Sequence, residues 1–530
     1  MSDRPAQRPF PGAPWLLLTG ALVLLGGIAL PITDGDTALY GRIAKNILTS
    51  GEWLIPRYRE GWVVDKPPLT LWLIALSFQA FGFSEVGLRL WHVLLALGTV
   101  ASTYLLARIF LPPWKALHGA LILLTSLQFF YQSLVPQQDI PLTLFVTLAF
   151  YWYLRWRQEG TVATATLSGL STALAVLSKG IIGLAIPLLV LGLHLLLDRR
   201  PLPRKALSGI AAGALAFVAA GAPWFVFGAA REGRAFVDTF FLGGTLGIGR
   251  FFHPVLASPV KTSWWTGLGA YVPLLLVGIL PWTGWLWPAL KEGVKARRDG
   301  NSGLWLCTLW ALGVFSFLSL SPGDKVVRYL LPIFPALAVL LGSAVGDERW
   351  DRQAAWVSLV AAGIGGLFML WVLIRGIPGE AGRYLPILFP FLPVFLASLL
   401  LHPLGTFRGR SRQGILLLAA SILLSYALLV ASVYRSWDRI SPWRPVAKIV
   451  NRQQVDAPTI LILGPHNPFP EYYFERPVEY VGEKELRRAW KTQPVLAIVP
   501  EEILPHLPSP PGPVVLARLP GGEALVSNSP

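Results

Sequence analysis

The strongest constraint on this chain is the number of apolar runs long enough to cross a bilayer. A hydrocarbon core of roughly 30 Å needs about 20 apolar helical residues. After a first run from Pro14 to Leu30, such segments recur near 86–110, 115–133, 139–157, 162–178, 180–197, 205–228, 265–288, 303–320, 328–345, 354–375, 383–401 and 413–434. Lipid offers no partner to backbone N–H and C=O groups, so these runs must be helical. The fold class expected is therefore a polytopic α-helical membrane protein with about 13 transmembrane helices. Charge content agrees, because 14% of residues are charged where a soluble domain carries about 25%. The first run leads straight into polar sequence without a small-residue cleavage site, so it reads as a retained span rather than a signal peptide. The shorter run Leu69 to Phe83 follows Pro67-Pro68, ends around Gly82 and suits an interfacial helix.

Basic residues set the orientation, since Lys and Arg in short loops favour the cytoplasm. With the N-terminus inside, the inner loops receive Arg155 and Arg157; Arg199, Arg200, Arg204 and Lys205; Lys291, Lys295, Arg297 and Arg298; Arg349 and Arg352; and Arg408, Arg410 and Arg412. An odd span count follows, with the C-terminal segment outside. The net charge of +16 is explained by these loops and by anionic membrane lipids as partners. Nucleic acid is excluded, because no basic stretch outside the spans is interleaved with stacking aromatics. Cys307 is the single cysteine, so disulfides and cysteine-based metal sites within the chain are excluded.

The outer face then collects the unusual side chains. The stretch Ile32 to Leu71 holds Asp34, Asp36 and the sequence Asp65-Lys66-Pro67-Pro68. Asp139, Lys179, the segment 229–264 with Arg250 and His253, and the turn with Asp324, Lys325, Arg328 and Tyr329 fall on the same side. Pumps and ion-coupled transporters need ionisable groups near the bilayer midplane, and here they gather at one face. The chemistry is therefore expected at an interface, on an outer catalytic loop spanning 33–85 within a membrane domain of residues 1–435. Residues 436–530 form a small extracytoplasmic α/β domain. It has a helix from Ser441-Pro442 to Gln454, strands at 459–464, 495–499, 514–519 and 523–527, a helical turn at 469–474 and a helix at 483–491. It has no Gly-rich phosphate loop or nucleophile elbow, which points to capping or docking.

Several runs carry a family resemblance: DTALYGRIAKNILTSGEWLIP, DKPPLTLWLIALSFQAFGFSEVGLRL, QQDIPLTLFVTLAFYWYL, LSKGIIGLAIPLLV and KVVRYLLPIFPALAVL. In order and spacing they resemble the aminoarabinose transferases of lipid A and the wider protein-mannosyltransferase-like glycosyltransferases of the GT-C class, over about residues 10–345. The resemblance implies a bacterial inner-membrane enzyme that takes a sugar from a polyprenyl monophosphate donor to a lipid or glycan acceptor at the outer leaflet, with inversion.

Position by position, Asp36 matches the family's catalytic aspartate and Tyr40 its following tyrosine. Asp65-Lys66 stands for its acidic-Lys-Pro-Pro, Asp139 for the acid opening a later span, and Lys179 for the lysine of its Ser-Lys-Gly turn. Arg250 matches its Arg-Phe and Tyr329 its Tyr-x-x-Pro. Three positions depart from the pattern: Thr37 replaces the second acid, Leu39 replaces an arginine, and GGTLGIGRF lacks the histidine before Arg-Phe.

The chemistry of such a donor fits these residues. The sugar is already activated, so the protein must hold phosphate charge, position a hydroxyl and accept its proton. Lys66, Lys179 and Arg250 are the cations available for phosphate, and Asp36 is the base candidate. Asp65 is placed to orient Lys66, and Asp139 to hold sugar hydroxyls or assist the base. No His/Asp/Glu cluster suggests a metal, and no cofactor is expected. Two other readings are transfer to protein, against which Trp264-Trp265 lacks a following Asp, and a lipid-carrier flippase, which the scarcity of midplane charge disfavours.

Overall fold

The structure, a computed structural model, describes residues 12–528 except 59–60, 63–65, 199, 204–205, 243–263, 322–324, 376–378, 454, 510–511 and 520–521. Helices occupy every apolar run expected to span. By length and composition, however, eight of them among the described residues can cross a membrane, or nine if one bent pair counts as a span. The remaining runs fall short for identifiable reasons. Ala13–Gly26 and Ile182–Leu197 are short, and Asp139–Glu159 is weighted by Asp139, Arg155, Arg157 and Glu159.

Two expected straight spans are broken. The 115–133 run splits at Ser126 into Pro113–Thr125 and Leu127–Ser133. The 265–288 run turns by 116° between Gly269–Gly278 and Trp282–Ala296, where Pro281 supplies no N–H. The two breaks satisfy each other. Leu127 N–H donates to the Leu280 carbonyl at 3.0 Å, while Trp282 Nε1–H and the Tyr426 hydroxyl donate to the Thr125 hydroxyl and carbonyl, each at 2.9 Å. Irregular backbone is tolerated at membrane depth only where protein covers it and supplies partners. Phe334–Ala344, buried along its whole length, lies at the centre of the bundle. Glu348–Arg375 is apolar yet mostly uncovered, as a lipid-facing helix must be.

The expected outer loop is largely helical. Asp34 caps Gly35–Ser50 by accepting Thr37 N–H at 2.8 Å, the Ser/Thr/Asp/Asn device for orphan N-terminal donors. A two-stranded hairpin, β1 (Arg57–Tyr58) with β2 (Gly61–Trp62), follows, and then Leu69–Phe81 ends at Gly82. The last long helix runs to Ile440, past the expected boundary at 435. Beyond it, Trp443–Val450 leads into a five-stranded sheet: β3 (Ile460–Leu463), β4 (Val478–Val481), β5 (Leu496–Pro500), β6 (Val514–Leu519) and β7 (Glu523–Ser527), ordered β4-β3-β5-β7-β6. β3 pairs parallel with β4 and β5, and β7 pairs antiparallel with β5 and β6. Strand β4 was not expected; its VEYV sequence is short and half polar.

Candidate active site

Several residues of the site sit where a helix begins or ends or in a turn leading into one. Asp36 is in the first turn of Gly35–Ser50, and Asp139 opens Asp139–Glu159. Lys179 closes Val162–Lys179, where Gly180, at φ 74, ends the helix in a conformation that side-chain-bearing residues avoid. Arg328 and Tyr329 lie in the 3-10 turn Val327–Ile333 that leads into the central helix.

Chain segments far apart in sequence converge here. Arg328 Nη1 donates to Asp36 Oδ2 at 3.3 Å and to Gln137 Oε1 at 2.9 Å. Gln137 Nε2 reaches Asp34 Oδ1 at 3.2 Å and Asp36 Oδ2 at 3.5 Å. Lys179 Nζ donates to Asp139 Oδ1 and stands 4.6 Å over the Tyr329 ring. Lys66 Nζ donates to the Tyr40 hydroxyl at 2.9 Å, and that hydroxyl donates to Gln138 Oε1 at 3.3 Å. Asp139 and Asp36 are also the first charged neighbours of Arg328, which ties the two acid-base pairs into one field.

Exposure separates the two carboxylates. The Asp36 side chain is 45% exposed, whereas that of Asp139 is 2% exposed against Lys179. A group that takes a proton from a bound substrate must be reachable, and of these two only Asp36 is. Asp34 is engaged as a helix cap, and burial, the largest influence on it, raises its carboxyl above the ordinary value.

Of the residues expected from sequence, Asp36, Asp139, Lys179 and Tyr329 gather around Arg328 and Gln137, while Lys66 and Tyr40 form a second chain that ends on the adjacent Gln138. Asp65 and Arg250 lie outside the described residues. Tyr40 is buried, and its hydroxyl accepts from Lys66. Sequence reasoning did not put Arg328, Gln137 or Gln138 in the site. Their signals were present, since Arg328 directly precedes Tyr329 and the two glutamines directly precede Asp139, but single polar residues at span ends are common. It also passed over Arg89. Buried in Glu85–Arg108, Arg89 donates to the carbonyls of Leu30, Pro31 and Leu134 and so fixes the chain entering the site. Among the described residues no group of three His, Cys, Asp or Glu side chains could hold a metal ion.

Residues 65–224 match the family model described as dolichyl-phosphate-mannose-protein mannosyltransferase. An undecaprenyl phosphate-alpha-4-amino-4-deoxy-L-arabinose arabinosyl transferase of Aeromonas salmonicida is 28% identical over 428 residues, 77% of this chain and 70% of the relative. An uncharacterized protein of Aquifex aeolicus is 26% identical over 468 residues, 88% of this chain and 85% of the relative. The crystal structure of ArnT from Cupriavidus metallidurans bound to undecaprenyl phosphate superposes with a TM-score of 0.80 at 21% identity, covering 98% of each chain. The two chains therefore share a fold.

Proposed function

We propose, for a chain that belongs to the aminoarabinose-transferase-like GT-C glycosyltransferases, that it moves a sugar from undecaprenyl phosphate or a similar polyprenyl monophosphate to lipid A or a related envelope glycan. The observation that carries this reading is one open carboxylate, Asp36, held by Arg328, together with two lysines each held by a partner, Lys66 by Tyr40 and Lys179 by Asp139. The Aeromonas relative, an undecaprenyl phosphate-aminoarabinose transferase, supports the donor class.

The geometry supports the following step. An acceptor hydroxyl oxygen forms a bond to the anomeric carbon while the carbon–oxygen bond to the carrier phosphate breaks, and the phosphate leaves with that electron pair. Asp36 takes the hydroxyl proton as attack proceeds. Arg328 and Gln137 hold Asp36 in one orientation, and preorganised groups of this kind need no rearrangement during reaction. Lys66 and Lys179 receive the phosphate's charge through charge-assisted hydrogen bonds, roughly twice as strong as neutral ones. Asp139, closed off against Lys179, acts by orienting that lysine. Its burial argues against the role in holding sugar hydroxyls or assisting the base that the sequence suggested. Asp65 and Arg250 remain part of the proposal as partner of Lys66 and third cation.

The protein sits in a bacterial inner membrane, with about thirteen membrane segments as the sequence reads, the N-terminus in the cytoplasm and the sheet domain outside. Purified protein given undecaprenyl-phosphate aminoarabinose and lipid A should release undecaprenyl phosphate and add the pentose mass to lipid A. Lipid A from a deletion strain should lack that mass. Unchanged lipid A together with lost glycan on envelope proteins would move the acceptor to protein. Donor translocated but never consumed would replace the transferase with a flippase.

A further inference from the structure

The sheet domain grips the helix that carries Asp36. Pro468 Cγ lies 3.2 Å from where a Cβ on Gly35 would stand, next to Asp36 in the chain. The Tyr472 ring lies 2.5 Å from the equivalent point at Gly41, so the two segments touch closely enough to exclude a methyl group there. Arg42 Nη1 donates to the Glu471 carbonyl at 3.3 Å. The Glu471 carboxylate, 5% exposed, accepts from the Tyr58 hydroxyl and lies 3.0 Å from His466 Nε2, which ties in the hairpin after the helix.

Tyr473 makes a further contact, with the backbone leading to Asp36. Its hydroxyl accepts the backbone N–H of Ile32 at 3.1 Å and donates to Glu85 Oε1 at 3.2 Å. Ile32 follows the two carbonyls held by Arg89 and precedes the Asp34 cap by two residues. The backbone approach to the aspartate is thus held from the membrane side by Arg89 and from the sheet domain by Tyr473. Reactive groups must be held to within about 0.5 Å of productive geometry, and a misplacement of about 1 Å can cost 10²-fold in rate.

We propose that Tyr473 of the sheet domain is a positioning residue for Asp36, acting through its hydroxyl on the backbone at Ile32. The inference rests on the transferase reading. It assigns the domain a part in turnover, because its contacts fall on the helix that carries Asp36 and on the backbone leading into it.

Two neighbouring tyrosines give the test. Tyr473→Phe removes the acceptor of Ile32 N–H. Tyr472→Phe keeps the ring against Gly41 and removes a buried hydroxyl that has no hydrogen-bond partner among the described residues. In full-length protein, Tyr473→Phe should lower kcat about tenfold with donor KM within twofold, while Tyr472→Phe matches wild type. Amide exchange at Ile32 and in the first turn of Gly35–Ser50 should quicken in Tyr473→Phe alone, a readout independent of any sugar donor. Wild-type kcat in Tyr473→Phe, unchanged exchange, or a loss confined to melting temperature would each overturn the proposal. A wild-type protein that transfers no sugar, with exchange still faster in Tyr473→Phe, would instead remove the transferase reading and leave the mechanical coupling standing.

Discussion

Replacing Lys179 by methionine puts the Asp139–Lys179 pair to a quantitative test. The Asp139 side chain is 2% exposed and that of Lys179 15%, so both charges have given up most of their water. Removing one partner of a buried pair typically costs about 3–5 kcal/mol, since the remaining charge is left uncompensated. Arg328 also faces Asp139 and offsets part of that loss, which places Lys179→Met near the lower end, about 3 kcal/mol. Asp139→Asn should cost a similar amount by stranding the lysine. Asp139→Asn with Lys179→Met leaves no stranded charge and should recover most of the stability, while donor use stays lost because the phosphate's cation is gone. The assay is a thermal melt of purified protein followed by monodisperse recovery, with retention of undecaprenyl phosphate measured on the same samples. If the two single variants melt like wild type, the pair is not a buried constraint. If the double variant regains donor retention, Lys179 does not hold phosphate.

Other outcomes follow from the same geometry. Asp36→Asn should lose about 10²- to 10⁴-fold in turnover, the usual worth of a general base, while donor retention persists; transfer at more than a tenth of the wild-type rate would remove Asp36 as the base. Arg328→Met frees Asp36 and Gln137 from hydrogen bonds of a charged group, worth about 1.5–3 kcal/mol, and should lower kcat about 10- to 100-fold with the fold intact, as measured by single-turnover transfer. Asp34, raised mainly by burial, contributes stability that is present below the ordinary carboxylate value and is lost as pH rises through its folded value. Asparagine caps equally well, so Asp34→Asn should melt at or above wild type at pH 7, with the gap closing below about pH 4; a lower melt at pH 7 would contradict this. For orientation, a cysteine at Asn301 should be shielded from an impermeant thiol reagent in intact cells and one at Ser509 labelled, and equal labelling would overturn the odd span count.

The sequence by itself determined the class of molecule and where its helices lie. Apolar run length and the cost of unsatisfied backbone in lipid are local properties, so every long run became a helix. Most of the sheet domain was legible for the same reason: TILILG, VLAIV, VVLARL and EALVS carry strand composition on their face. The motif residues Asp36, Lys66, Asp139, Lys179 and Tyr329 could also be picked out, because they stand in runs that resemble those of a known family in order and spacing.

The tertiary structure alone decided how these residues are partnered. Nothing local shows that Arg328 bonds Asp36 across almost three hundred residues, that Asp139 is closed while Asp36 is open, or that Tyr473 receives the N–H of Ile32. The two broken spans were illegible likewise, since the break at Ser126 is relieved by a carbonyl at Leu280. Hydropathy is a sum over neighbours in the chain, whereas burial, charge pairing and the satisfaction of a broken helix depend on atoms that only folding brings together.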